Sequence, residues 1–191
     1  MKLRNILVIV LAVLCTVVLA GCDEQKKTES GSSAAAVSSS TASGSSKSAG
    51  QEAAVTDISV YYPDVNATGL VAVTKNVKVK GQDKYKAAVE ALLAGTDDKR
   101  LTTVFPKKTK LLKVAVSGST ARVDFDKNLT AGFVGGSTGE EMLVGSLVNT
   151  LTEFPEIKKV QILVEGKEID SLSGHLDLSK PVSRMSELIK K

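Results

Sequence analysis

The residues that could do chemistry in this chain are few and lie mostly in its second half. Gly135-Gly136-Ser137-Thr138-Gly139 fits G-x-S-x-G, which seats a serine on a sharp strand-to-helix turn with its hydroxyl free to attack an acyl carbon. Asp170 and His175 follow in the serine, acid, histidine order that such a hydrolase uses. The same glycines could cradle a phosphate at a helix start, but Glu140 and Glu141 would repel it there. Asp124 and Asp126 stand two apart, so on a strand their carboxylates share a face and could act as acid and base or bind calcium. His175 is the only histidine, which rules out a histidine-based metal triad. Tyr61, Tyr85 and Phe105 could form a stacking platform for wall carbohydrate, in a chain with no tryptophan.

The elements that must position these groups argue against most of that chemistry. A nucleophile elbow needs a buried strand before the serine, and Thr130–Val134 is short and broken by Gly132 and Gly135. Ser137 with Glu140, or Thr138 with Glu141, fits a capping box instead, at the start of the best helix in the sequence. Met142, Leu143, Val144, Leu147, Val148, Leu151 and Phe154 make its apolar stripe, and Pro155 stops it. Val160, Ile162 and Val164 then alternate with Gln161 and Glu165 as a strand with one buried face. Asp124 and Asp126, with Arg122, read as the solvated side of another such strand.

Upstream, Ile58, Val60 and Tyr62 mark a first strand, and Val71, Val73, Val77 and Val79 a second with its lysines on the wet face. Gln82–Ala94 reads as a helix with Tyr85, Ala88, Val89 and Leu92 inward and Gly95 at its end. Thr96–Lys110 is a loop. Leu112, Val114 and Val116 turn at Ser117-Gly118-Ser119 into Ala121, Val123 and Phe125. Met185–Ile189 makes a short last helix. The expected fold is a mixed α/β (α+β) domain over residues 56–191, about five strands in one sheet, in the order ββαββαβ.

The N-terminus sets the compartment. Lys2 and Arg4 precede an apolar run, Ile6 to Leu19, of signal-peptide length and short for a membrane span. Leu19-Ala20-Gly21-Cys22 resembles a bacterial lipobox, which implies cleavage after residue 21 and a diacylglyceryl group on Cys22, with further acyl (palmitate-type) chains. Two or more chains anchor durably where one is marginal. Cys15 leaves with the leader and Cys22 is capped, so thiol catalysis and cysteine-ligated metal are excluded. Residues 22–55 are rich in serine, alanine and glycine and read as a disordered tether with a reach of roughly 30 Å. Removing Lys2 and Arg4 from the 25 basic residues brings them close to the 21 acidic ones, and the lysines look scattered, so nucleic acid has no footprint.

The folded part resembles the GerMN family of sporulation and germination domains. The resemblance is carried by I-S-V-Y-Y-P (58–63), A-V-E-A-L-L-A-G (88–95), V-F-P-K-K-T-K-L-L-K-V (104–114) and A-R-V-D-F (121–125). The longest block is S-L-V-N-T-L-T-E-F-P-E-I-K-K-V-Q-I-L-V-E-G (146–166), followed by G-H-L-D-L-S-K-P (174–181). It implies a non-catalytic domain outside the membrane, acting through envelope proteins, with no catalytic, cofactor or metal residues. The family's namesake resembles a lipoprotein with two such domains, whereas this chain has room for one. A peptidoglycan-binding lipoprotein is the alternative, and a serine hydrolase the distant one.

Overall fold

A computed structural model describes residues 54–79 and 84–191. The leader, Cys22 and nearly all of the tether lie outside the described residues. Strand β1 (Ala54–Pro63) begins two residues before the expected domain boundary and pairs antiparallel with β2 (Leu70–Val79). Helix α1 (Lys84–Ala94) buries the four residues its spacing singles out. The hairpin of β3 (Leu111–Ser117) and β4 (Thr120–Phe125) turns through Gly118, whose φ of +57° suits glycine. A single-turn helix α2 (Asn128–Ala131) leads to α3 (Ser137–Leu151), then β5 (Lys159–Val164). The tail adds β6 (Lys167–Glu168), β7 (Val182–Ser183) and a 3-10 turn at Ser186–Leu188, where a short helix is expected.

The expected strands divide between two sheets. β1 and β2 form a ribbon of their own, and β3-β4-β5-β6 with β7 on β5 form the five-stranded mixed sheet. β5 runs parallel to β4, with Ala121 beside Val160 and Val123 beside Ile162, so the chain must cross over between them. Helix α3 makes that crossover. It packs against β1, β2, β5 and α1, and from Met142 to Leu151 every residue is buried. A helix enclosed on all sides is the axis of the core, which explains why its sequence is apolar beyond a single stripe.

Four further expectations change. Helix α3 ends at Leu151, where the Thr152 hydroxyl turns back to the Val148 carbonyl at 2.8 Å. Phe154 therefore leaves the helix and meets the Tyr85 ring edge-on at 5.1 Å. β5 is buried on both faces, since Gln161 and Leu163 are covered as well as Val160 and Ile162. On the edge strand β3, a bulge between Leu111 and Lys113 resets the alternation and leaves Leu112 52% exposed. Lys75 lies on the valine face of β2, because period two puts it there; its ammonium caps α1 at the Gly95 carbonyl, 3.0 Å away.

Candidate functional site

The hydrolase constellation does not assemble. Ser137 is the first residue of α3, exposed, with Gly132–Gly136 irregular before it rather than a strand. The His175 side chain is exposed, and none of the hydrogen bonds made by Ser137, Asp170 and His175 joins one to another. Neither capping box forms: the N-cap is Gly136, with no side-chain cap. Glu140 is turned away from its helix end because the tail claims it. Its Oε1 accepts from the Leu172 N–H at 2.7 Å, and its Oε2 from the Ser173 hydroxyl at 2.8 Å and the His175 N–H at 3.0 Å. Burial pushes this carboxyl up, and the donors outweigh it, holding it below the usual glutamate range. Glu140 staples the tail to the core helix.

Asp124 and Asp126 do not act as a pair. β4 ends at Phe125, so Asp126 is off the strand. It accepts from the Lys110 N–H at 3.0 Å and from the Asn128 amide side chain at 2.6 Å, which closes the turn into α2. Asp124 accepts from the Gly166 N–H at 2.8 Å and fixes the turn after β5. Among the described residues no group of three or more His, Cys, Asp or Glu could hold a metal.

The aromatic platform is also absent. Tyr61, Tyr85 and Phe105 are all buried, each among different neighbours. The Tyr61 hydroxyl donates to Glu153 at 2.8 Å beneath the Arg184 guanidinium, whose carbon lies 5.5 Å from the ring centre. Tyr85 donates to Glu156 at 2.6 Å, and Phe105 packs on Phe125 at 5.9 Å. What the fold leaves open is the outer face of β3 and β4. A groove of about 270 Å³ there is lined by Lys113, Ala115, Arg122, Asp124, Leu163 and Gly166. Beside it runs the β3 edge, with Leu112 and Val116 exposed. Such a surface offers apolar contact and both signs of charge, and it carries no aligned nucleophile.

The polar contacts that sequence reasoning missed are structural. Asn149 is fully buried and forms a paired contact with Met185, giving its amide to the carbonyl and taking the N–H, both at 2.9 Å. Arg184 donates to the Asn149 carbonyl and the Thr152 hydroxyl. An asparagine inside an apolar helix was the available signal, since it needs a buried partner.

The family model of the Germane domain, described as sporulation and spore germination, matches residues 59–170. The chain belongs to the Germane family. It is 31% identical over 146 residues to the spore germination protein GerM of Bacillus subtilis (strain 168), covering 71% of this chain and 38% of that protein. The chain thus spans well under half the length of the curated relative it matches. The tandem GerMN domains of GerM superpose with a TM-score of 0.55 at 26% identity, over 72% of this chain and 48% of theirs. A candidate lipoprotein from Clostridium perfringens superposes with a TM-score of 0.51 at 28% identity, over 68% of this chain and 87% of that one. The Germane match begins in β1 and ends at Asp170, so the tail that Glu140, Asn149 and Gln161 hold lies beyond it.

Proposed function

We propose that this chain is a membrane-anchored, extracytoplasmic protein of sporulation or germination whose Germane domain is non-catalytic and works through contacts with other envelope proteins. The observation that carries the reading is the Germane match across residues 59–170. The lack of any hydrogen bond joining Ser137, Asp170 and His175 supports the non-catalytic part. The lipobox-like Leu19–Cys22, together with the similar Clostridium perfringens protein, supports the anchor. For contacts, the β3 edge and its groove offer accessible apolar area beside charge of both signs; Lys113 and the bulge would keep that edge from pairing indiscriminately.

Disrupting the chain in its host tests the process: fewer heat-resistant spores or slower germination is expected, and normal values for both would overturn the assignment. Cys22→Ser tests the anchor separately. The variant should accumulate unprocessed or be released, and unchanged processing and membrane retention would refute lipidation.

A further inference from the structure

A second cavity lies away from the groove, at the end of the domain formed by the Phe105–Lys110 loop, α2 and the approach to α3. Its volume is about 370 Å³, and Pro106, Lys107, Lys108, Asn128, Ala131 and Gly132 line it. The sequence spaces its lysines so that they look dispersed, but folding gathers them. The Asn128 side chain donates to the Lys108 carbonyl at 3.2 Å, which brings Lys127 to the same end as Lys107 and Lys108. Asp126 ties in Lys110 through its backbone N–H. Four exposed lysines thus belong to the segments that meet at this end, and the Asp126 carboxylate between them in sequence is already engaged by the Lys110 N–H and by Asn128. Among the described residues none of the four lysines makes an ion pair.

A second observation points to the kind of surface these charges meet. Gly132 lies so close to Pro106 that a Cβ on it would come within 3.0 Å of the proline side chain, so the two loops pack closely there. Two residues on, Val134 projects from the same loop and is 95% exposed, the most exposed large apolar side chain described. Lysines and a protruding apolar side chain at one end of a domain suit a bilayer whose headgroups are anionic: the charges meet phosphates while the valine enters the interfacial layer. We propose that this end of the Germane domain docks on an anionic lipid surface. The inference goes beyond the reading above and does not need Cys22 to be acylated.

The test compares chains that start at position 22 and all carry Cys22→Ser, so that neither the apolar leader nor an acyl chain contributes to binding. Binding to vesicles of phosphatidylglycerol and of phosphatidylcholine is measured by sedimentation at about 0.1 M salt. The parent chain should prefer phosphatidylglycerol, and the preference should shrink as salt rises. Each of Lys107→Gln, Lys108→Gln and Lys127→Gln should weaken that binding on the order of fivefold. Val134→Asp should weaken it too, with the melting temperature unchanged because the side chain touches solvent. Equal preference for phosphatidylglycerol in the parent and the triple glutamine variant would overturn the proposal. So would lysine-dependent binding of free polyphosphate with no such preference among vesicles, which would make the occupant a dissolved polyanion. Failure here leaves the Cys22 processing result untouched, so the two readings stand or fall separately.

Discussion

At Glu140 a single carboxylate satisfies three donors that the folded tail would otherwise hide from water. Replacing it by alanine leaves those donors unpaired next to a small void, and a loss of about 2–4 kcal/mol is expected in denaturant unfolding. Glu140→Gln keeps the shape and loses the charge, so a smaller loss, about 1–2 kcal/mol, should follow. The pH dependence has a definite sign. The folded carboxyl is held below the ordinary value of 4.5, so its contribution is complete above that pH and is lost as pH falls through the lower folded value. Glu140→Gln should therefore flatten the acid limb of stability below about pH 4.5 relative to the parent, and an unchanged limb would remove this role from Glu140. The residue was visible in the sequence as the second half of a capping box. Its actual partners were not, because they lie more than thirty positions away in a segment without periodicity.

Among the elements, α1 shows how much period and spacing can carry. Its inward residues and the Gly95 end, with φ at +82°, follow from local pattern alone. What closes the helix does not. The Tyr62 hydroxyl lies 2.7 Å from the Ala91 carbonyl and 2.8 Å from the Gly95 carbonyl, its one proton shared between them, while Lys75 reaches the same Gly95 oxygen. The β1–β2 ribbon thus supplies the donors and the positive charge that the end of a helix lacks. Tyr62→Phe should cost about 1–3 kcal/mol, and Lys75→Met about 0.5–1.5 kcal/mol. Burial pushes the Tyr62 hydroxyl up to about 12, so its contribution is full below the ordinary 10.0 and fades as pH rises towards 12. The parent should lose stability over that alkaline range more steeply than Tyr62→Phe; parallel curves would show the hydroxyl to be unimportant to the closure. The division into two sheets escaped the sequence for a related reason. Strand alternation reports a covered face and not which neighbour covers it, and the bulge at Leu112 shifts that alternation within β3 itself.

At the scale of the whole molecule, the tail decides whether there is a fold. The Germane match stops at Asp170, yet the segment after it lies against α3, β5 and β2. Leu178 is buried and its carbonyl takes the Gln161 amide at 2.9 Å. Met185 pairs with Asn149, Lys190 gives its N–H to the Leu70 carbonyl at 2.9 Å, and its ammonium joins Asp64. At Gly145 an added Cβ would come within 2.6 Å of Leu188 and 3.1 Å of Leu70, so the helix is kept bare there for the tail to approach. A chain ending at Asp170 would leave Glu140, Asn149 and Gln161, all fully or almost fully buried now, without their partners. Each such loss costs about 1–3 kcal/mol, and losing the buried Leu178 and Met185 adds about 1.5–3 kcal/mol apiece. The total is comparable with the roughly 5–15 kcal/mol that holds an ordinary domain folded. Residues 1–170 should therefore show no cooperative melting by near-ultraviolet circular dichroism, whereas the full chain should. A truncated chain that melted cooperatively within a few degrees of the full one would show the tail to be an accessory. The same measurement on Gly145→Ala gives the graded case: helix propensity favours alanine by about 1 kcal/mol, overpacking opposes it by about 1–3 kcal/mol, and a net loss of stability is expected.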